Sequence, residues 1–168
     1  MSPDAHIAPS LPLRDGDLVE AADFTAALKP PLSRFVLRGP VEAAERAGRA
    51  FGTPIPGQPL ASTAHGSRLA LWLGPDEWLL LADRSEGRQV EQSFEAALSN
   101  TPHSLVDVSH RQLALGVSGR LAARVLTSGC PLDLSLWGFP IGMAARTLFH
   151  KAEIVLLRQA ADAFHVEV

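Results

Sequence analysis

The stretch RLALWLGPDEWLLLA, residues 68–82, decides the fold class of this 168-residue chain. Two apolar runs, residues 68–73 and 78–82, flank the tetrapeptide GPDE. Each run has the length of a strand, and proline followed by aspartate supplies the chemistry of a tight turn. The stretch therefore predicts an antiparallel β-hairpin.

The segments on either side of this hairpin predict a strand and a helix each. Residues 34–38 (RFVLR) alternate polar and apolar, the period of a half-buried strand, and Gly39-Pro40 then opens a helix. After the hairpin, Ser85 is a candidate N-cap for a second helix, and a strand follows at residues 104–108. The first half therefore reads β-α-β-β-α-β, the ferredoxin-like (split βαβ) order.

The second half repeats this plan and stops early. Gly39 and Gly119, which are 80 residues apart, each end a strand and start a helix. The hairpin turns at Asp76 and Asp162 are 86 residues apart. The sequence thus predicts a single α+β domain, residues 34–168, made of two tandem ferredoxin-like units, residues 34–110 and 111–168. The second unit is truncated at Val168, without a last helix and strand.

A truncated second unit predicts one uncovered sheet face and one unpaired strand edge. Either another chain covers them, or the native chain continues beyond Val168; the alternative is that the two halves cover each other. Residues 1–33 contain five prolines and little periodicity. They predict an extended N-terminal arm, which is disordered or laid on a partner.

Composition narrows the class of protein. A hydrophobic fraction of 46% and a charged fraction of 20% are typical of a globular domain. The net charge of -3, without a basic stripe, argues against nucleic acid as a partner. The single cysteine, Cys130, excludes an internal disulfide and favours a reducing compartment. No apolar run approaches the roughly 18 residues of a membrane span, so we expect a cytoplasmic protein and no membrane contact.

The sequence predicts no catalytic residue and no metal site, and it identifies no cofactor-binding residue. In the run Asp107-Val108-Ser109-His110, strand alternation turns His110 away from the other two polar side chains, so a triad cannot form locally. The six histidines contain no i,i+4 pair, and there is no CxxC motif. Residues 116–119 are only GxxG, which fits either an anion-holding loop or a tight turn.

Four residues are candidates for an interface with a partner. Trp137 and Phe139 lie in a predicted loop, where aromatic side chains often anchor contacts, although core packing is an equal explanation for Trp137. His110 and Arg111 follow a predicted strand in an exposed-looking turn.

Four strings in order resemble the gamma subunit of heterotetrameric sarcosine oxidase: GPDEWLL (74–80), VDVSHR (106–111), GCPLDL (129–134) and RTLFHKAE (146–153). The resemblance covers residues 34–168. It implies the fold of the folate-binding aminomethyltransferases of glycine cleavage. Members of this family usually continue past the final strand into an aromatic-rich helix, which this sequence lacks.

The resemblance also implies a function that depends on other chains. The complex oxidatively demethylates sarcosine to glycine, passing the one-carbon unit to tetrahydrofolate and electrons to oxygen. Its alpha, beta and delta subunits carry FAD, FMN, NAD and zinc, whereas the gamma chain is non-catalytic and is expected to be inactive alone. One alternative is a stand-alone folate-binding aminomethyltransferase-like protein or regulator, with Asp107 near the pterin. Another is an interaction domain of an unrelated complex.

Overall fold

The computed structural model describes residues 19–168, which form two antiparallel sheets and three α-helices. In chain order the elements are β1 (Val19–Ala21), β2 (Phe24–Leu28), β3 (Leu32–Arg38), α1 (Val41–Phe51), β4 (Ser62–His65), β5 (Arg68–Gly74), β6 (Glu77–Asp83), α2 (Gly87–Leu98), β7 (Ser104–Asp107), β8 (Ala114–Ser118), α3 (Ala122–Thr127), β9 (Ala144–Phe149), β10 (Ala152–Ala160) and β11 (Ala163–Glu167). The first sheet has the order β4-β5-β6-β3-β7, and the second has the order β1-β2-β8-β11-β10-β9.

The predicted hairpin forms from β5 and β6, and its apolar run explains why it lies at the centre. Leu80 packs under α1 and α2, whereas Leu79 and Leu81 face the second sheet. All three side chains are at most 1% exposed. A strand that is apolar on both faces is stable only where both faces are covered. The helices cover one face of β6, and the second sheet covers the opposite face.

The strand predicted at residues 34–38 is confirmed within β3, but the expectation that its polar side faces solvent is wrong at Arg34. Phe35 and Leu37 pack against the helices, as alternation requires. The opposite face of β3 is also covered, because Val36 packs in the cluster between the two sheets and Arg34 is only 2% exposed. The polar position at Arg34 therefore marks a buried charge instead of a solvent face.

The two sheets cover each other through one apolar cluster, the alternative that the sequence left open. Leu71, Leu79 and Leu81 of the first sheet meet Val155 and Leu157 of the second. Among residues 19–168 the predicted uncovered face is thus absent, because both sheets direct apolar residues towards the same interface. The other face of the second sheet is packed by α3 and by the loop that follows it.

The predicted unpaired edge is also absent among residues 19–168, because β2 occupies it. β2 pairs antiparallel with β8, from Thr25 opposite Ser118 to Leu28 opposite Leu115. The part of the N-terminal arm after residue 18 is therefore strand structure within the second sheet, and β3 begins at Leu32, inside the predicted arm. Hydrogen bonds to β8, which is distant in sequence, hold β2 in place. The sequence of β2, FTAAL, shows no strand periodicity, so the strand was not predicted. The arm's residues 1–18 lie outside the described residues.

The two sheets share one arrangement. Read from β4, the first sheet has the order β4-β5-β6-β3-β7; read from β9, the second has the order β9-β10-β11-β8-β2, followed by β1. The hairpins have equal registers, with Trp72 opposite Trp78 in one and Arg158 opposite Phe164 in the other, each pair 86 residues from its counterpart. In this arrangement β2 takes the place that β7 has in the first sheet.

Three local expectations also differ from the structure. Ser85 is not an N-cap: a 3-10 turn, Arg84–Glu86, precedes α2, which begins at Gly87. The sequence predicts one strand over residues 146–158, but the structure has two, because His150 adopts a φ of 53° between β9 and β10. β4 was not predicted, since its STAH sequence lacks apolar alternation.

Candidate interaction site

A buried carboxylate joins the two sheets at one end of their interface. Glu77, the first residue of β6, accepts hydrogen bonds from Arg38 of β3 at 2.7 Å and from Arg146 of β9 at 2.6 Å. Burial acts to raise the pKa of Glu77, but the hydrogen bonds and charges of Arg146 and Arg38 outweigh it and hold the pKa below its ordinary value. An ionised Glu77 therefore fixes both guanidinium groups in place.

These three side chains line an open cleft of about 640 Å³ between the sheets. The cleft wall includes apolar side chains from both sheets, among them Val36, Leu79 and Val155. The rim is exposed: the side chains of Arg38 and Arg146 are 60% and 42% exposed. The other polar residues that line the cleft are Ser104, Arg111, Gln112 and Glu153. The geometry gives a cationic, partly apolar groove.

The structure separates the four predicted interface residues. Arg111 lines the cleft, and His110 is exposed in the turn beside it. Trp137 lies in the loop after α3, on the face of the second sheet away from the cleft, and its side chain is 95% exposed. Phe139 is only 1% exposed and packs in that core, so its expected exposure is wrong. The loop turns through a backbone bond from Phe139 N–H to Ser135 C=O, which directs the phenyl ring inward.

The loop that carries Trp137 is held by polar contacts. Ser135 N–H donates to Asp133 Oδ1 at 2.9 Å, and Gly138 N–H donates to Ser135 Oγ at 3.0 Å. The buried Arg158 donates to the carbonyl of Leu134. Leu136 and Ile141 in the same loop are 55% and 58% exposed. The loop therefore presents apolar side chains on an anchored backbone.

The polar run at the end of β7 forms a turn. Ser109 donates both its N–H and its hydroxyl to Asp107 Oδ1, and the same hydroxyl accepts the N–H of Arg34 at 2.9 Å. His110 is exposed and makes no hydrogen bond to either of these side chains. The run lacks the nucleophile–base contact that a hydrolytic triad requires.

The GxxG segment is a tight turn and not an open anion loop. Gly119 has a φ of 109°, and a Cβ there would lie 2.3 Å from the carbonyl oxygen of Asp23. The N–H groups of Gly119 and Leu121 donate to the carbonyls of Asp162 and Asp23. Both amides thus have backbone acceptors, and only glycine fits the turn.

A second ionic cluster, which the sequence did not reveal, is buried between the sheets. Glu167 accepts a bond from Arg34 Nε at 2.5 Å and contacts His165 Nε2 at 2.6 Å. The three side chains are at most 3% exposed. Burial lowers the pKa of the neighbouring Lys29, and the charge of Glu167 opposes that shift. Arg34 and Glu167 are 133 positions apart, so no local pattern could pair them.

Within residues 19–168, no group of three or more His, Cys, Asp or Glu side chains could hold a metal ion. None of the helices in that range is long and apolar enough to cross a membrane.

The mixed two-sheet architecture places the chain among proteins with the aminomethyltransferase fold. It superposes on the glycine cleavage system aminomethyltransferase T from Bartonella henselae with a TM-score of 0.65, covering 88% of this chain and 42% of that chain at 13% identity. The model of the sarcosine oxidase, gamma subunit family matches residues 40–168. The chain belongs to this family.

Curated relatives agree with this assignment. The sarcosine oxidase subunit gamma of Corynebacterium sp. (strain P-1) is 33% identical over 119 residues, and that of Arthrobacter sp. is 34% identical over 119 residues. Both matches cover 70% of this chain and 57% of the relative, so the chain spans little more than half of their length.

A solved assembly contains a similar chain. A chain of the heterotetrameric sarcosine oxidase from Corynebacterium sp. U-96, in complex with pyrrole 2-carboxylate, has a TM-score of 0.80 and 26% identity to this one. The match covers 92% of this chain and 80% of that chain.

Proposed function

We propose that this chain is the non-catalytic gamma subunit of a heterotetrameric sarcosine oxidase. The observation that carries the proposal is the likeness to a chain of the Corynebacterium sp. U-96 heterotetramer, which extends over 92% of this chain. In this role the chain supports oxidative demethylation of sarcosine to glycine, with transfer of the one-carbon unit to tetrahydrofolate. FAD, FMN, NAD and zinc are then held by the alpha, beta and delta subunits, and the complex is cytoplasmic.

The polar groups of the chain support a structural role. Glu77 is ion-paired with two arginines, and Glu167 is ion-paired with Arg34 and contacts His165. A general acid or base must reach the substrate directly or through one water. Glu167 has no exposed surface, and both oxygens of Glu77 are already bonded to arginines, so each carboxylate serves as a link between the two sheets.

The test is reconstitution from separately purified parts. The chain is expressed alone and together with the other subunits of the same host's sarcosine oxidase. The isolated chain is expected to show no flavin absorbance and no sarcosine turnover, whereas it co-purifies with the other subunits in a complex that oxidises sarcosine. A flavin spectrum or turnover from the isolated chain, or failure to join the complex, would contradict the proposal.

Folate binding separates this proposal from a stand-alone aminomethyltransferase-like protein. Titration calorimetry of the isolated chain with tetrahydrofolate is expected to give no binding heat. Saturable heat that an Asp107→Ala variant abolishes would favour the stand-alone protein, because a carboxylate is the group that grips a pterin ring.

We also propose that the two sheets are tandem ferredoxin-like units. The order β5-β6-β3-β7 in the first sheet and β10-β11-β8-β2 in the second support this, as do the equal hairpin registers. β2 then supplies the fourth strand of the second unit, which the sequence expects to be missing. Of the predicted interface residues, His110, Arg111 and Trp137 are proposed as partner contacts on two separate surfaces.

A further inference from the structure

The outer edge of β7 is open beside the cleft. β7 is the last strand of its sheet, with β3 on its inner side and no other described strand outside it. Val108 N–H donates to the carbonyl of Arg34. Because successive residues of a strand direct their N–H and C=O groups to opposite sides, those of Leu105 and Asp107 point outward. An edge of this kind can pair with another strand.

The side chains of β7 connect this edge to the cleft. Leu105 packs against the core under the helices, whereas Ser104 and Val106 line the cleft. Val106 is 49% exposed, although it is a large apolar side chain. A strand added at the edge would place alternate side chains next to Val106, over the cleft. Backbone pairing and side-chain selection would thus occur on the same surface.

The charge of the cleft favours an acidic occupant. Arg111 is exposed and forms no ion pair with any residue in the range 19–168. Arg38 and Arg146 each use one terminal nitrogen on Glu77, and a guanidinium has five N–H donors, so both keep donors for a ligand. Among the lining side chains there are three arginines and two glutamates, in a chain of net charge -3.

The openness of the cleft favours a chain segment over a small ligand. Pockets for small molecules bury about 70–90% of the ligand surface. Here the arginine side chains on two opposite walls, Arg38 and Arg146, are 60% and 42% exposed. An extended segment instead gains its affinity from main-chain bonds along the edge and needs only shallow contacts for its side chains.

We propose that β7 and the arginine-lined cleft bind an extended acidic segment of another subunit of the oxidase. The segment adds to β7 as a sixth strand of the first sheet, and its carboxylates meet Arg111, Arg38 and Arg146. This inference rests on the proposed function, because it names the surface through which the chain enters the complex.

The test compares the free chain with the assembled complex. Hydrogen exchange is followed by mass spectrometry on peptides that cover residues 104–111, and binding to the co-expressed partner subunits is titrated. Arg111→Glu reverses the charge, and Asp107→Pro removes an outward N–H at an edge position where proline is tolerated. Arg88→Glu makes the same charge change on α2, which covers the opposite face of the sheet, and Asp107→Ala controls for the lost carboxylate.

The expected result is exchange at least about tenfold slower in these peptides within the complex. Arg111→Glu and Asp107→Pro should each weaken assembly at least about tenfold, while both control variants assemble as the wild type does. Circular dichroism melts establish that all four variants fold.

Four outcomes would overturn the inference. If the complex forms with β7 unprotected, or if Arg111→Glu assembles normally, this surface is not the interface, and the proposed function stands. Protection of β7 in the free chain that rises with its concentration would identify a second copy as the occupant. If no complex forms with the partner subunits, the proposed function fails, and this inference fails with it.

Discussion

Replacing Glu167 with leucine should be among the most damaging single changes in this chain. Its carboxylate, 0% exposed, holds Arg34 at 2.5 Å and His165 at 2.6 Å. Without it, Arg34 remains as a cation whose side chain is 3% exposed, and His165, whose Nδ1 already has no partner among the described residues, loses its remaining one. Breaking a buried pair by removing one partner costs about 3–5 kcal/mol.

The loss is large enough to measure by thermal or urea unfolding of the isolated chain. In a domain of this size each kcal/mol of stability shifts Tm by about 2–4 °C, so Tm should fall by roughly 6–20 °C. Glu153→Leu is the matched control, because the Glu153 side chain is 73% exposed. That change should cost no more than about 0.5 kcal/mol.

The double variant Arg34→Met/Glu167→Leu tests the cause. Two apolar residues of similar volume remove the buried charge altogether, and such replacements are often neutral or stabilising. The double variant should therefore recover most of the stability lost in Glu167→Leu. A loss below about 1 kcal/mol in that single variant, or a double variant as unstable as the sum of the two single changes, would refute the reasoning.

Three other predictions follow from burial, charge and backbone geometry. Trp137→Ala should change the stability of the isolated chain by less than about 0.5 kcal/mol and weaken assembly by more than about 1 kcal/mol, whereas Phe139→Ala should cost about 3–5 kcal/mol of stability. Urea unfolding and subunit binding separate the two. Glu77→Gln should destabilise at pH 7, because the pKa of Glu77 is lowered in the folded chain and its contribution is present above the unfolded value. Unfolding at a series of pH values should show the difference in unfolding free energy between the variant and the wild type narrowing as pH falls below about 4. A difference that stays constant with pH would contradict this. Gly119→Ala should cost more than about 1 kcal/mol in the same assay, since φ is 109° and Asp23 blocks a Cβ.

Local sequence patterns were sufficient to predict the β5–β6 hairpin and the correspondence between the two halves of the chain. The GPDE turn joins β5 and β6, and the 86-residue offset noted at Asp76 and Asp162 recurs in the registers of both hairpins. Periodicity and turn chemistry act over a few residues, so they are legible in a single sequence. β2 was missed because its pairing with β8 depends on residues about 90 positions away.

The candidate site was predictable only in part. Arg111 was named as a contact because it follows a strand in an exposed turn, and it does line the cleft. Glu77 looked like a turn residue in GPDE, but the structure makes it the first residue of β6, between Arg38 and Arg146. Phe139 looked exposed because loop residues usually are, and the turn at Ser135 directs it inward.

By itself the sequence determined an α+β chain built from two similar halves, because strand and helix periods and turn residues are local properties. Only the tertiary structure decided how completely the halves cover each other. The alternation in residues 34–38 predicts an exposed Arg34, but face-to-face packing of the sheets buries it in an ion pair with Glu167. It also brought Arg146 of the second sheet to Glu77, which pairs with Arg38 on the neighbouring strand of the first sheet. Charges from separate sheets meet only when the sheets pack, and no spacing along the chain records that distance.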